Sequence, residues 1–421
     1  MLKTDQPREY YDVIVVGSGP SGSTLAYELA RKGIEVAILE REKLPRPKLC
    51  GGGITLKAAH LLPFDISPIV HCTVQRLILL YRGEERLVIE DGQPLLYTSM
   101  RAEFDYFLAE KAFQEGVAVL ENQSVREIQE KEGQYEIRTQ SSRFRARVVV
   151  GADGANSQVA RSQGLRLDPF LLLALEGEAS ARSQSNLQQA DTILVDWGSI
   201  RNGYGWIFPK KQHTTIGVGA PVGLTPEIKR YYDWLIRRSI EDPLAYPKIK
   251  GHHLPVRKNR MPIQRNRVVL VGDAAGLVEP FTGEGIYYAI RSAQIAAEEI
   301  FKVQSGESPD FREYEQHIDD ELMPEIVTGQ VLSGLFATFP RFALSLFAHN
   351  QKIQKFLCQA IRGEVKLSDC GPLLGGYQIL LAAARRLAYL DNRLNIFAAV
   401  TGSQPAIHDR ERSPKAAALT R

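Results

Sequence analysis

The chain lacks the features that mark several specialised protein classes. It has four cysteines in 421 residues, too few for a disulfide framework, and none has the CxxC spacing of a metal site. Lys and Arg total 52 against 49 Asp and Glu, with no long basic run, so nothing favours nucleic-acid binding. No run of about 20 apolar residues predicts a membrane-spanning helix, and the start lacks the apolar core of a secretory signal. These absences predict a cytoplasmic protein with no metal site.

The composition that is present is typical of a globular protein. Hydrophobic residues make up 44% of the chain and charged residues 24%, and the length predicts two or three domains. Cys358 and Cys370 lie close enough in sequence to pair, although a cytoplasmic location favours free thiols.

The first segment predicts a strand–helix–strand unit. Asp12–Val16 is a short apolar run typical of a buried strand, and residues 23–32 have helical spacing that ends at Gly33. A second strand is predicted at Glu35–Leu39, and this order of elements indicates a parallel sheet. Similar patterns predict helices at 103–115, 225–242 and 285–303, strands at 117–120, 125–128, 135–139, 147–150 and 267–271, and an antiparallel sheet across 176–219.

The turn after the first strand has the sequence Gly17-Ser-Gly-Pro-Ser-Gly22, a GxGxxG pattern between a strand and a helix. Gly17 permits a tight turn, Gly19 lets the backbone approach a pyrophosphate, and Gly22 allows the helix to pack closely on the strand. Glu40 ends the second strand, where it can accept hydrogen bonds from ribose hydroxyls. The pattern predicts a dinucleotide site rather than a structural turn, and the binding segment also includes Pro20, Ser21 and Arg41.

Two further loops follow predicted strands, Gly151-Ala-Asp-Gly154 and Val271-Gly-Asp273. With the first loop, and in this order, they resemble the fingerprints of flavoproteins that have the p-hydroxybenzoate hydroxylase-like fold. The resemblance implies bound FAD, with Asp273 on the ribityl chain and with Asp153 and Gly154 near the pyrophosphate. Taken singly, each aspartate could instead be a turn residue or a helix cap.

The same resemblance extends to two other segments. It implies that backbone N–H groups of Gly283, Gly285 and Ile286 approach the flavin ring, where the start of the following helix stabilises negative charge. It also implies that Arg101 lies against the phosphate or ribityl part of the flavin. The alternative for Arg101 is a surface arginine near a helix start.

Two more motifs narrow the resemblance. The segment 45–54 contains Lys48, Cys50 and three glycines, and Tyr204-Gly-Trp-Ile-Phe-Pro209 is followed by Gly217-Val-Gly219. Both are similar to signatures of the geranylgeranyl reductase family, whose members saturate isoprenoid double bonds with reduced FAD. The resemblance implies a flavin contact by Lys48, Cys50, Gly51 and Gly52, and a hydrophobic prenyl site lined by Tyr204, Trp206, Phe208, Pro209, Gly217 and Gly219.

The aromatic segment also fits an interpretation as ordinary sheet core. Trp206, Phe208 and Ile207 could line an apolar tunnel, in which each buried CH₂ contributes about 0.8 kcal/mol. Strand alternation, however, places Ile207 on the face opposite Tyr204, Trp206 and Phe208.

Reduction of an alkene requires a hydride, which reduced FAD carries, and a proton. Cys50 and Tyr204 are the candidate donors of that proton, and water is a third. Cys50 has two other interpretations, as a small buried hydrophobe or as a redox partner. The lack of a second cysteine nearby in sequence disfavours the redox role.

The resemblance predicts an α/β fold in which two domains interleave. A discontinuous Rossmann-like FAD-binding domain (1–75, 98–175 and 260–305) surrounds an antiparallel-sheet substrate domain (76–97 and 176–259), and a helical C-terminal region (306–401) precedes a flexible tail (402–421). This C-terminal region has several apolar helical patterns, including 332–347 and 377–390, and the polar faces of the region carry the cations Arg341, Lys352, Lys355, Arg385 and Arg386. These helices are expected to pack on the flavin domain; alternatively, their apolar faces contact a membrane surface that supplies a lipid substrate.

The leading functional prediction is an FAD-dependent reductase of prenyl chains. One alternative is a flavin-dependent aromatic monooxygenase or halogenase on the same fold, and another is a non-catalytic flavin-binding carrier of a lipid. No second GxGxxG unit is present, so electrons are expected from NAD(P)H bound transiently or from a ferredoxin. The head group stays open among a diphosphate, an archaeal-type lipid, a prenylated quinone and a pigment tail.

Overall fold

A computed structural model describes residues 8–165, 169–180, 189–240, 247–258 and 261–371. The predicted helix at 377–390, with Arg385 and Arg386, and the predicted tail at 402–421 lie outside the described residues. The described part contains two large sheets, one small sheet and helices that cover them.

The first large sheet carries the strand–helix–strand unit that the sequence predicts. Its strands are β1 (Tyr10–Val16), β2 (Val36–Leu39), β8 (Ala118–Leu120), β9 (Val125–Lys131), β10 (Gln134–Thr139), β11 (Arg143–Gly151), β17 (Gln264–Arg265) and β18 (Val268–Leu270). They run in the order β17-β18-β11-β1-β2-β8, and a β9–β10 hairpin joins the sheet through β11. Parallel pairs join β1 to β2 and β11, and β11 to β18.

Helices bury the apolar strands of this sheet. Val13, Ile14 and Val15 of β1 are fully buried, as expected for a parallel strand covered on both faces. The helices packed around this sheet are α1 (Pro20–Arg31), α3 (Arg101–Gln114), α4 (Gln158–Ser162) and α6 (Ile286–Ser305). Helix α1 begins three residues before its predicted start because Pro20 is preorganised for the first helical position.

The second large sheet is antiparallel except for one pair. Its strands are β5 (Arg76–Tyr81), β6 (Glu85–Ile89), β12 (Phe170–Ser180), β13 (Thr192–Trp197), β14 (Tyr204–Pro209), β15 (His213–Pro221) and β16 (Lys250–Val256). Their order is β16-β12-β15-β14-β13-β5-β6, and among these described strands only β5 and β13 run parallel. Helix α5 (Thr225–Ser239) covers one face, where its Ile228 and Leu235 belong to one core cluster with Ile207. The opposite face is therefore available to line a site.

A third, three-stranded sheet and a set of C-terminal helices complete the described fold. The small sheet contains β3 (Gly53–Thr55), β4 (Cys72–Val74) and β7 (Leu96–Thr98), and α2 (Leu56–His60) follows β3 directly. The C-terminal helices are α7 (Arg312–Glu321), α8 (Met323–Thr338), α9 (Pro340–His349) and α10 (Gln351–Arg362).

The single helical pattern predicted at 332–347 is wrong. Helix α8 ends at Thr338 and α9 begins at Pro340, because proline has no N–H to continue the helical hydrogen bonds. Within the described ranges, no single helix has the length and hydrophobicity to cross a membrane. Helix α8 and Ala343–His349 meet those criteria only as a pair bent by 103°.

The α/β fold class with an interleaved antiparallel sheet is confirmed. The exact domain boundaries stay predictions, although strand β12 starts at Phe170 and so crosses the one placed after residue 175. All four cysteines lie within the described ranges, and no disulfide joins Cys358 to Cys370.

Candidate active site

One cavity of about 750 Å³ connects the three predicted flavin loops with the open face of the antiparallel sheet. Of the residues predicted from the sequence to bind cofactor or substrate, all line this cavity except Gly22, Ile207, Pro209, Gly217 and Gly219. The structure therefore gathers residues that are far apart in sequence into one site.

The glycine loop after β1 has the geometry that a phosphate cradle needs. Gly17 has φ +104°, and a Cβ there would lie 2.5 Å from the Ala152 carbonyl oxygen. A Cβ on Gly22 would lie 2.0 Å from the Gly17 carbonyl oxygen, so Gly22 serves helix–strand packing and does not face the cavity. Gly19 has no atom within 4 Å of its Cβ position, and α1 begins after it with no side-chain cap. The free N–H groups of the helix start are available to an anion.

Glu40 is held as an anion at the end of β2. Its carboxylate accepts hydrogen bonds from Ser18 Oγ at 2.6 Å and Ser18 N at 3.1 Å, and Arg46 Nε lies 3.2 Å away. Burial alone would raise the pKa of Glu40, but Arg46 and the Ser18 hydrogen bonds lower it below its ordinary value. The residue thus presents a charged acceptor, as ribose hydroxyls require.

Asp273 belongs to a partly buried charge cluster that reaches across to the second sheet. His252 of β16 places Nε2 3.7 Å from Asp273 Oδ2, and Lys48 Nζ lies 2.7 Å from the same Nε2. Burial favours the neutral acid, yet the His252 and Lys48 contacts lower the pKa of Asp273. Burial also lowers the pKa of Lys48, to about 8.

Arg101 makes a bidentate contact with the Asp105 carboxylate and is not a surface residue. Its side chain is 9% exposed and donates to Asp105 from Nε at 2.8 Å and from Nη2 at 3.0 Å. Arg46 binds the same carboxylate at 3.1 Å. Arg101 also interacts with Cys50, which lines the same cavity. The guanidinium is therefore held in one orientation beside Cys50, one of the residues predicted to contact the flavin.

Trp206 lies across a row of three paired strands. Trp206 of β14 is opposite Gly217 of β15, and Gly217 is opposite Glu176 of β12. A Cβ on Gly217 would lie 2.4 Å from the indole ring, so only glycine lets the indole cross β15. The indole Nε1 then donates to Glu176 Oε1 at 3.0 Å.

The other aromatic residues of β14 contact the small sheet, through Phe208, and the loop before α6, through Tyr204. A Cβ on Gly53 would lie 2.8 Å from the Phe208 ring, and one on Gly283 would lie 2.4 Å from the Tyr204 hydroxyl oxygen. Tyr204 also stacks on Trp197, with ring centroids 4.8 Å apart. Burial raises the pKa of the Tyr204 phenol. From this junction the cavity continues between apolar side chains that include Leu77, Ile193, Phe336, Phe347 and Leu357.

Four predicted roles in the substrate site need correction. Gly217 and Gly219 do not line the cavity but support the Trp206 indole from behind. The Pro209 carbonyl accepts a hydrogen bond from Thr98 Oγ1 at 2.7 Å, so Pro209 joins β14 to the small sheet. Ile207 lies in the core beneath α5, as strand alternation indicates.

Three polar residues in or beside this site were not predicted from the sequence: Glu176 and His252, which line the cavity, and Lys210, which lies behind Gly51. Glu176 and Lys210 are 3% and 4% exposed, and Lys210 Nζ donates to the Gly51 carbonyl at 2.5 Å. Glu176 had a usable signal, because it is the first charged residue after the run Phe170–Leu175. His252 and Lys210 stand in polar surroundings and have no such signal.

The residues present fit an FAD molecule. The loop at Gly19 borders open space, and the buried Oδ1 of Asp153 has no hydrogen-bond partner. The other oxygen of Asp153 caps α4 through Gln158 N at 2.6 Å and Val159 N at 3.1 Å. The chain also matches the family model described as FAD binding domain over residues 10–63 and 67–315. The site is thus that of an FAD-binding oxidoreductase.

Relatives narrow this class. The chain is 30% identical over 317 residues to geranylgeranyl diphosphate reductase from Rhodobacter capsulatus, covering 72% of this chain and 78% of the relative. It is 32% identical over 316 residues to digeranylgeranylglycerophospholipid reductase from Thermoplasma volcanium, covering 69% and 78%. The chain belongs to the geranylgeranyl reductase family of FAD-dependent oxidoreductases.

A solved structure supports the fold. A geranylgeranyl bacteriochlorophyll reductase-like protein from Thermoplasma acidophilum superposes with a TM-score of 0.72 at 24% identity, covering 89% of this chain and 96% of that one. At this identity the likeness shows the fold alone.

Proposed function

We propose that the protein reduces carbon–carbon double bonds of a prenyl chain, using FAD as the hydride carrier. The observation that carries the proposal is the continuity of the cavity: the glycine loops and an apolar branch open into the same space, and Tyr204, Trp206 and Phe208 form the wall where they meet. A prenyl chain offers only apolar surface, which an apolar branch binds without polar contacts.

The residues of the two regions have separate tasks in this proposal. Gly17, Gly19, Glu40 and Asp273 hold the cofactor, and when reduced it supplies the hydride. Aromatic side chains orient the alkene and exclude water from it. The proton comes from the cavity wall, for which Cys50 and Tyr204 are the donors predicted from sequence.

The partners of the reaction are also proposals. NAD(P)H bound transiently, or a ferredoxin, delivers the electrons in the cytoplasm. Contact with a membrane surface brings in the substrate: the exposed Phe339, which is 57% accessible, joins α8 to α9, and Arg341, Lys352 and Lys355 lie on exposed positions nearby. Apolar and cationic groups side by side favour an anionic bilayer.

The test is the mass of the product. Purified protein, with its flavin reduced chemically under anaerobic conditions, is incubated with geranylgeranyl diphosphate and, separately, with a geranylgeranylated lipid and a geranylgeranylated quinone. We expect a gain of two hydrogen atoms for each double bond, and the preferred head group identifies the substrate. No gain without oxygen, followed by incorporation of an oxygen atom once air and NAD(P)H are supplied, would replace the proposal with a monooxygenase.

A further inference from the structure

A buried acid lies on the cavity wall where the two branches meet. Glu176 is 3% exposed and lines the cavity together with Trp206, whose Nε1 donates to Glu176 Oε1 at 3.0 Å. The hydrogen bond occupies one carboxyl oxygen and fixes the plane of the group. A prenyl chain that passes the Trp206 indole therefore lies beside the Glu176 carboxyl.

Charged and titratable groups face Glu176 from several elements. Lys210, Arg101 and Lys48 supply positive charge, while Tyr204 of β14 and Tyr232 of α5 are the nearby phenols. Lys210, whose charge acts on Glu176, donates a hydrogen bond to the Gly51 carbonyl in the glycine run after Cys50. The cations stabilise an ionised carboxylate, and the dry wall stabilises a protonated one. Glu176 can therefore exist in both states.

From this arrangement we infer that Glu176 is the acid that protonates the prenyl chain and that Trp206 fixes the direction of its carboxyl. The inference rests on the proposed function. The FAD that the glycine loops would hold would supply, in its anionic reduced form, two electrons as a hydride to one alkene carbon. The Glu176 O–H bond breaks, and its proton forms the C–H bond on the other carbon. A proton taken from solvent then restores the Glu176 O–H bond, so each double bond takes up one hydride and, in net terms, one solvent proton.

The acidity of Glu176 suits this task better than that of Tyr204. Burial raises the pKa of Glu176 to about 7, against the lowering effect of the Trp206 hydrogen bond and the three cations. A general acid is most effective when its pKa lies near the working pH. Burial raises the pKa of Tyr204 from an already high ordinary value, so the phenol holds its proton more firmly.

The protonation of Glu176 can be read from its hydrogen-bond donor. The chain contains three tryptophans, Trp197, Trp206 and Trp234, and in the isotope-labelled holoenzyme a Trp206→Phe variant assigns the Trp206 indole N–H signal in an NMR spectrum. We expect this signal to titrate near pH 7 in the wild type. It should become independent of pH in E176Q, which keeps an oxygen to accept the bond. E178Q is the matched control, because Glu178 lies on the same strand but is exposed.

The catalytic role is read from the oxidation of reduced flavin. The chemically reduced holoenzyme is mixed anaerobically with geranylgeranyl diphosphate, and flavin absorbance is followed from about pH 5 to about pH 9. We expect the wild-type rate to fall as pH rises through about 7, since the acid is then lost. E176Q should bind FAD normally but react about 100-fold more slowly, without this pH dependence. E178Q should match the wild type.

The outcomes separate the inference from the function on which it rests. A pH dependence that persists in E176Q and disappears in Cys50→Ala overturns the inference and assigns the proton to Cys50. A Trp206 signal that does not titrate also overturns it, because the carboxyl then keeps one protonation state. If no prenyl substrate oxidises the reduced wild-type flavin, the proposed function fails and takes the role of Glu176 with it. A defect confined to E176Q supports both.

Discussion

Gly217→Ala tests whether the Trp206 indole lies flat on strand β15. The new Cβ would lie 2.4 Å from Cε2 and Cζ2 of the indole, whereas carbon atoms in contact prefer about 3.5–4.0 Å. The ring must therefore move by about 1 Å, which is enough to break its 3.0 Å hydrogen bond to Glu176. Overpacking and the loss of a buried hydrogen bond together predict a decrease of about 2–5 kcal/mol in the free energy of unfolding.

Urea unfolding of the holoenzyme measures this loss, and NMR of the Trp206 indole N–H reports the hydrogen bond directly. Gly223→Ala is the control, since a Cβ there meets no atom within 4 Å, and its stability should change by less than about 0.5 kcal/mol. If the Gly217→Ala protein is as stable as Gly223→Ala and keeps the wild-type indole signal, the position of the indole does not depend on the lack of a side chain at residue 217.

Two other predictions concern carboxyl groups of the cavity wall. Asp273→Asn removes the anion beside Lys48 and His252 and should weaken FAD binding about tenfold or more, as measured by flavin fluorescence during titration of the apoprotein; Asp320→Asn, on the exposed side of α7, serves as the control, and unchanged affinity would contradict the role of Asp273. Burial raises the pKa of Glu279 to about 7 from an ordinary 4.5, so the folded state holds a proton that the unfolded state has lost between those values, and stability must fall as pH rises through that window. The free energy of unfolding of the wild type relative to Glu279→Gln should therefore decrease by about 3 kcal/mol at most between about pH 5 and about pH 8. Urea unfolding measures this difference at each pH, and a difference that stays constant would mean that Glu279 does not titrate in that range.

Much of the flavin half of the site could be predicted from the sequence because its determinants are local. The turn at Gly17–Gly22, the acid at Glu40 and the loop at Asp273 each follow a strand that short apolar runs reveal. The ends of parallel strands meet at one edge of a sheet, so local motifs are sufficient to assemble this region.

The substrate half could be predicted only in part, because it depends on strand register. Glu176, Gly217 and Trp206 form a row only after three strands have paired, and no local pattern contains that alignment. The resemblance at Tyr204–Pro209 implied a substrate wall with sheet core as the alternative, and it did not show that Gly217 and Gly219 stand behind the Trp206 ring while Tyr204, Trp206 and Phe208 line the cavity. The break between α8 and α9 was different, since Pro340 was a visible signal that the apolar pattern masked.

The interleaving of the two large sheets has a consequence for the order in which the protein is made. Strand β1 and the glycine loop emerge early from the ribosome. Strand β18, Asp273 and Gly283 are synthesised later, after the strands of the antiparallel sheet that separate them from β1 in sequence. Neither sheet can be completed by strands that follow one another directly in sequence. Both need pairings between distant segments, which form slowly. A nascent chain therefore exposes an incomplete flavin site for most of its synthesis. The cell's supply of FAD at the moment of release should influence how much of the chain reaches the native state.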